Sequence, residues 1–165
     1  MLLEAGADGS AGWRGCRDRS LIDAAAVGGN VEVVSGLLGA GAQPDVQVVS
    51  CWSKRSALYT ATMLGHEDVA RRLVTAGADV NFEDPSGADV DVKKNDGLTP
   101  LAVAAYASSC KAMHVLFQHG AQVDIRDRGG DTPLHHACLE PREGLDAAVD
   151  MLLRWGADET TLNNN

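Results

Sequence analysis

The chain is poor in aromatic and in basic residues, and both shortages limit what it can be. Only 4% of its 165 residues are aromatic although 45% are hydrophobic, so a folded core has to consist mostly of aliphatic side chains and alanine. Lysine and arginine number 14 against 23 acidic residues, a formal net charge of -9. Because nucleic acid and anionic membranes attract positive surfaces, we expect neither of them as a partner.

The sequence also lacks paired cysteines and long apolar runs. Its four cysteines, Cys16, Cys51, Cys110 and Cys138, are far apart and form no CxxC pair. The start, MLLEAGADGS, has an acidic residue at position 4, unlike a secretory leader. No run approaches the roughly 20 apolar residues of a membrane span. These features predict an intracellular protein, of the cytoplasm or nucleus, with reduced thiols.

The sequence does contain an internal repeat. A short aliphatic run followed by a glycine-alanine pair occurs five times, in AGAD (5–8), AGAQ (40–43), AGAD (76–79), HGAQ (119–122) and WGAD (155–158). A second shared element precedes the last four, in residues 20–29, 56–65, 99–108 and 132–141. Such self-similarity at a period of some 20–50 residues indicates a repeat architecture.

The residue types of the unit predict two short helices and an extended connection. Thr99 and Thr132 each precede a proline and suit the N-cap, with the proline at the first helical position. A second helix follows, with apolar residues at helical spacing. Left-handed glycines are expected to end it, at Gly41, Gly77, Gly120 and Gly156. Neither helix could bury its apolar face alone, so the units must stack into an all-α solenoid.

These motifs resemble the ankyrin repeats. The resemblance is carried by DTPLHHA (131–137) with LLRWGAD (152–158), and by GHEDVARRLVTAGADVN (65–81). It implies stacked helix-turn-helix repeats with finger-like connecting loops. The expected boundaries are a truncated repeat with its finger at 1–17, repeats at 18–50, 53–85, 95–127 and 128–162, a loop insertion at 86–94, and the start of a missing repeat at 163–165. We therefore expect the chain to be part of a longer array.

Two positions depart from the pattern or stand out within it. Ser108 and Ser109 occupy the turn where the second repeat has a glycine-histidine pair, and we expect the change to cost that turn some stability. Trp155 lies directly before a helix-ending glycine, where packing at the helix end is the expected role.

The pair His135 and His136, followed by Cys138, raises the question of a metal site. His135 and Cys138 are three residues apart and could share a helix face. However, a zinc site needs convergent ligands, usually four, and Cys138 aligns with small residues where a buried thiol packs well. The resemblance gives His135 a hydrogen-bonding role at the helix start and leaves His136 at a variable position. We predict no metal and no cofactor.

Motifs for catalysis are missing, whereas residues suited to binding occur in the connections. The sequence has no P-loop, GxSxG or HExxH motif, so we predict that the chain is not an enzyme. Tryptophan and arginine dominate interface energetics. The candidate partner-binding residues are Trp13, Arg14, Arg17 and Arg19 in the first finger, Trp52, Lys54 and Arg55 in the second, and Phe82 in the third. Each tryptophan could instead fold back over its own finger.

The sequence thus predicts a monomeric, non-catalytic protein-protein interaction module. It would bind a partner protein through its fingers and its concave helix face, with an acidic, aromatic-accepting patch of the partner against fingers one and two. The alternative is a substrate-targeting region attached to an enzyme such as a ubiquitin ligase or kinase. Intrinsic enzymatic activity is a third, less favoured hypothesis.

Overall fold

The computed structural model describes residues 20–45, 56–83 and 97–164. These residues form helices and turns and contain no strand. The helices come in pairs along the chain. They are α1 (Leu21–Val27), α2 (Val31–Gly39), α3 (Ala57–Met63), α4 (Glu67–Thr75), α5 (Pro100–Tyr106), α6 (Cys110–Gln118), α7 (Pro133–Ala137) and α8 (Leu145–Arg154).

The first helix of each pair begins where the sequence supplies a hydroxyl cap. The Ser20 side chain accepts from the backbone of Asp23 at 3.1 Å, and Thr99 accepts from that of Ala102 at 3.2 Å. The α7 cap uses His135, whose Nδ1 accepts from the Thr132 N–H at 3.2 Å and lies 2.9 Å from its hydroxyl. This confirms the predicted role of His135, because it satisfies groups that a helix start leaves unpaired.

The second helices end as predicted, at glycines with a left-handed backbone. Their φ angles lie between +86° and +94° at Gly41, Gly77, Gly120 and Gly156. The alanine after each glycine donates to a carbonyl five residues earlier, for example Ala42 to Leu37 at 3.0 Å and Ala78 to Leu73 at 3.0 Å. This pattern is the Schellman motif, which a residue with a Cβ would strain.

The pairs stack into two layers around a main hydrophobic core, and a second, smaller buried cluster consists of Tyr59, Leu98, Ala102 and Val103. Helices α1, α3, α5 and α7 pack side by side in chain order, and α2, α4, α6 and α8 do the same. Leucines such as Leu58, Leu101 and Leu116 are fully buried between the layers. Small residues such as Ala26 and Ala104, also fully buried, let neighbouring helices approach closely. The predicted all-α solenoid is confirmed.

The connections are joined from repeat to repeat by a series of side-chain hydrogen bonds, which we call the Asx ladder. Each bond runs from a backbone N–H to an Asp or Asn of the preceding repeat: Asp79 to Asp45 Oδ2 at 2.9 Å, Gln122 to Asn81 Oδ1 at 2.8 Å, and Asp158 to Asp124 Oδ1 at 3.3 Å. These bonds were not predicted from the sequence. They give neighbouring repeats a polar contact beside their shared apolar core.

Three details differ from, or extend, the sequence-based expectations. Cys138 is exposed rather than buried, because α7 ends at Ala137 and leaves the cysteine at the C-cap. His136, expected at a variable position, is buried and lies 2.9 Å from Asp127. Ser108 has a φ of +52°, a left-handed backbone that a residue with a Cβ rarely adopts, and the loss of stability expected at this turn stays a prediction. The segment 1–17 and the insertion 86–94 lie outside the described residues, so the repeat boundaries stay predictions.

Candidate protein-binding surface

An exposed apolar residue lies at or shortly after the end of each first helix. The eighth position of the four aligned segments holds Val27, Met63, Tyr106 and Leu139, whose side chains are 37–56% exposed. We call these four residues the apolar stripe. Val27, Met63 and Tyr106 are the last residues of α1, α3 and α5, whereas Leu139 lies two residues beyond the end of α7.

The helical geometry explains why the stripe faces solvent. The position just before it holds Ala26, Thr62 and Ala105 in the first three repeats, and all three are fully buried. One residue further along an α-helix the side chain is rotated by about 100°. The same helix therefore places a small residue in the core and a large apolar residue outside it.

The stacking of the first helices makes the stripe continuous. Because α1, α3, α5 and α7 pack in chain order, equivalent positions lie next to one another. At the usual 8–10 Å between packed helices, four of them extend over roughly 30 Å. Leu64, which is 44% exposed, lies one residue beyond Met63 and widens the stripe in the second repeat.

Charged groups flank the stripe at its C-terminal end. The Arg142 guanidinium lies 4.0 Å from the centre of the Tyr106 ring, in a cation–π contact. Arg142 also donates to Glu140 Oε2 at 2.8 Å, and this hydrogen bond raises the pKa of Arg142 above its ordinary value. Tyrosine and arginine held in one contact are residue types that often dominate binding energy.

Most of the residues predicted from the sequence to bind a partner fall outside the described part of the chain. These are Trp13, Arg14, Arg17, Arg19, Trp52, Lys54 and Arg55. The eighth, Phe82, is half-buried, and its N–H donates to the Asp79 carbonyl at 3.3 Å. The apolar stripe was not predicted from the sequence, although the recurrence of a large apolar residue after each small one was a usable signal.

Trp155 has the packing role that its position predicted. Its ring stacks on that of Phe117, with centroids 4.6 Å apart and planes 3° from parallel. Phe117 is buried, and Trp155 covers it with one ring face while staying 47% exposed. The stack joins the ends of α6 and α8, in the layer of second helices rather than along the apolar stripe.

The histidine and cysteine weighed as metal ligands line a common cavity. It has a volume of about 200 Å³ and is bordered by Leu134, His135, Cys138, Asp158, Glu159 and Thr161. His135 is engaged with Thr132 through Nδ1, and the cavity is open.

Within the described ranges no helix has the length and apolar character to cross a membrane.

Comparison with known proteins identifies the type of repeat. A family model described as ankyrin repeats (three copies) matches residues 2–84 and again residues 86–163. The fowlpox virus protein FPV031, named as an ankyrin repeat protein, is 33% identical over 68% of this chain and 30% of its own length. Protein PhlB of Serratia liquefaciens is 34% identical over 75% of the chain and 49% of its own length.

A third relative is much longer than this chain. The glycerophosphocholine phosphodiesterase GDE1 of Candida albicans is 35% identical over 59% of the chain, a match that covers 7% of that protein. The chain thus corresponds to about half or less of the length of each of these three relatives.

Proposed function

The chain belongs to the ankyrin repeat family, whose members generally serve as protein-interaction modules, and we propose that it binds a partner protein along the apolar stripe. The observation that carries the proposal is the recurrence of an exposed large apolar residue at one position of all four repeats. Single exposed apolar residues are ordinary on protein surfaces, whereas a row of them indicates an interaction site. The family is typically non-catalytic.

The dimensions of the stripe suit a helical segment of the partner. A length of roughly 30 Å equals that of a helix of about 20 residues. Such a helix would meet Val27, Met63, Tyr106 and Leu139 in turn along one face. Burying an apolar side chain that is one third to one half exposed contributes on the order of 1 kcal/mol. Four such contacts, with Tyr106 backed by Arg142, would form the centre of an interface.

The fingers complete the proposed interface. Trp13 and Trp52, with the basic residues beside them in the sequence, would contact an acidic, aromatic-accepting patch of the partner. This contact would lie next to the concave helix face of the chain. Phe82 would contribute from the third finger, where it is half-buried and still reachable. We place the protein inside the cell, in the cytoplasm or nucleus, as a monomer whose partner is neither nucleic acid nor membrane.

The chain offers matched substitutions to test the stripe. Val27 and Val33 are 37% and 48% exposed, and Leu139 and Leu153 are 56% and 40% exposed. In each pair the first residue belongs to the stripe and the second lies on a second helix. A partner identified by affinity purification and mass spectrometry would be titrated against each serine variant. We expect Val27→Ser and Leu139→Ser to weaken binding about tenfold each, or 1.4 kcal/mol.

The second-helix variants separate binding from folding. Val33→Ser and Leu153→Ser should leave the dissociation constant within about twofold of the parent value, a difference of roughly 0.4 kcal/mol. All four variants should keep the circular dichroism of the parent chain. If both variants of a pair weaken partner binding equally, the stripe is not part of the interface.

A second candidate is a targeting region that delivers a substrate to an attached enzyme. The relative named as a phosphodiesterase favours it, because a segment similar to this chain forms only 7% of that protein. In this version the enzyme could be, for example, a ubiquitin ligase or a kinase. Sequencing the transcript beyond codon 165 tests it. An enzymatic domain in the same reading frame would favour this candidate, and its absence would leave the free-standing module.

A further inference from the structure

The apolar stripe lies beside an edge of the molecule that carries charged side chains. This edge, which we call the turn edge, consists of the turns that join the two helices of each pair and of the first residues of the second helices. It comprises residues 28–32, 64–68, 107–111 and 138–146. In the first three repeats each turn starts directly after the stripe residue, and in the fourth the stripe residue lies within it. The charges of the turn edge therefore border the surface that the proposed partner would contact.

Contacts between neighbouring repeats connect the segments of the turn edge. The Nε2 of His66, in the second turn, lies 3.3 Å from the carbonyl oxygen of the stripe residue Val27. A Cβ placed on Gly144 would lie 3.6 Å from the Cβ of Ser108, so the fourth turn packs on the third. The edge therefore continues from one repeat to the next beside the stripe.

Both lysine and arginine side chains of the turn edge are already paired with glutamates. Lys111 Nζ lies 3.9 Å from Glu67 Oε2, an ion pair that also joins the third repeat to the second. Arg142 donates to Glu140 Oε2 at 2.8 Å and covers the ring of Tyr106. These two cations are thus largely compensated within the chain.

The other charged residues of the turn edge are all acidic. Glu32, Asp68, Glu143 and Asp146 are exposed. None of these four carboxylates forms an ion pair with residues 20–45, 56–83 or 97–164. They are distributed over the first, second and fourth repeats, so the stripe is bordered by uncompensated negative charge along most of its length.

Helix dipoles explain where some of these acids lie and still leave the edge negative. A carboxylate is favoured in the first turn of a helix, where Glu32, Asp68 and Asp146 occur. The partial positive charges at the N-termini of the second helices are offset by the partial negative charges at the C-termini of the first helices, which lie at the same edge. The side chains therefore set the charge of the edge.

We propose, on the basis of the proposed binding along the apolar stripe, that the bound segment is an amphipathic helix with lysine or arginine along one flank. Its apolar face would contact the stripe, and its basic flank would face the four uncompensated carboxylates. Complementary charge around an apolar centre determines which partner is recognised and speeds its association. The acidic patch expected opposite the first two fingers is a separate part of the partner, because the fingers precede the first helices and the turn edge follows them.

The spacing of the repeats gives the sequence pattern of this helix. Neighbouring stripe residues are separated by one distance between packed helices, roughly 8–10 Å. In a helix that lies along the stripe, residues seven positions apart share a face and are about 10.5 Å apart. Apolar residues at every seventh position, over about 22 residues, would therefore meet the four stripe residues in turn.

Two synthetic peptides test the charge of the bound helix. Both have about 22 residues with leucine at every seventh position, and one carries lysine along a flank where the other carries glutamate. Fluorescence anisotropy with the purified 165-residue chain measures both affinities. We expect the lysine peptide to bind about tenfold more tightly or better, with an affinity that falls as the salt concentration rises. Equal or tighter binding of the glutamate peptide, or no binding of either peptide, would overturn the proposal.

Charge-removing variants locate the contact on the chain. The Glu32→Gln and Glu143→Gln double variant should weaken binding of the lysine peptide about threefold, because exposed ion pairs contribute modestly. The control is the Glu83→Gln and Glu159→Gln double variant. It removes the same charge from exposed residues that follow the second helices, and it should leave the affinity unchanged. Equal weakening by both double variants would show attraction to the net charge of the chain and contradict a contact at the turn edge.

The valine variants distinguish failure of this inference from failure of the proposed function. If Val27→Ser and Val33→Ser weaken binding of the natural partner equally, the stripe is not the interface and both proposals are wrong. If Val27→Ser alone weakens that binding while the two peptides bind equally, the proposed function is supported and only the basic flank is wrong.

Discussion

Ser108 combines two unfavourable features in one residue. Its φ of +52° lies in the left-handed region, and its hydroxyl oxygen is buried with no hydrogen-bond partner in the described part of the chain. The aligned residues of the first two repeats are Gly29 and Gly65, with φ angles of +66° and +71°. We predict that Ser108→Gly raises the free energy of unfolding by about 1 kcal/mol, since it removes both the backbone strain and the unpaired hydroxyl. Urea unfolding followed by circular dichroism measures the change.

The neighbouring serine provides the control. Ser109 has a φ of -84° and makes no side-chain capping bond, so Ser109→Gly relieves no strain and should be neutral or slightly destabilising. A loss of stability in Ser108→Gly would contradict the argument. The strain at Ser108 could be predicted because aligned repeats have glycine there. The contact of His136 with Asp127 could not, because it depends on how residues 127–131 fold back onto α7.

At the scale of the elements, the Asx ladder places one carboxylate in an unfavourable setting. Asp45 Oδ2 accepts a hydrogen bond from the Asp79 N–H, while Asp45 Oδ1 is buried with no partner among the described residues. Burial raises the pKa of Asp45, the hydrogen bond from Asp79 lowers it, and repulsion by the Asp79 carboxylate raises it again, for a net increase. At the same position of the next repeat, Asn81 accepts from Gln122 and also donates to the Gly120 carbonyl at 3.4 Å.

We therefore predict that Asp45→Asn stabilises the chain by about 1 kcal/mol at neutral pH, because an amide keeps the ladder bond and gains a donor. The sign of the pH dependence follows from the raised pKa. As pH falls through the folded-state pKa of Asp45, the folded chain takes up the proton first, so the parent chain recovers this stability on acidification. The advantage of the variant should shrink between neutral pH and about pH 4.

Asp124→Asn is the matched control for Asp45→Asn. Asp124 accepts the same kind of ladder bond, from Asp158, and neither of its oxygens is buried without a partner. We expect a smaller change in the free energy of unfolding at neutral pH. An advantage of Asp45→Asn that grows on acidification would contradict the assignment.

The elements themselves could largely be predicted from the sequence, because their signals are local. The hydroxyl of Thr99 and the glycine at position 77 act on backbone groups within a few residues of themselves. The ladder could not be predicted, because its bonds join residues 34 to 41 positions apart. The exposure of Cys138 was missed for a similar reason. Alignment gave it the environment of Ala26, whereas α7 is two residues shorter than α1.

At the scale of the whole molecule, partner binding and folding stability depend on different surfaces. Each repeat contacts its neighbours through the buried leucines and the ladder, so stability is a sum of nearest-neighbour terms. The apolar stripe lies at or just beyond the C-terminal ends of the first helices, and its residues are not among the buried residues of the core. Large apolar residues can thus be retained along one exposed row without being needed for folding. This division is why substitutions on the stripe are expected to change affinity and leave helix content unaltered.

The same division gives the prediction for the fingers. Trp13 and Trp52 occur in connections, away from the aliphatic positions of the helices, and Arg14 and Arg55 are close to them in the sequence. If these tryptophans contact the partner, the Trp13→Ala and Trp52→Ala double variant should weaken binding by tenfold or more, or at least about 1.4 kcal/mol, with unchanged circular dichroism. If they instead cover their own repeats, the double variant should melt earlier and bind normally. Trp155→Ala is the matched comparison. Because Trp155 stacks on Phe117, its loss should lower the melting temperature and leave affinity intact.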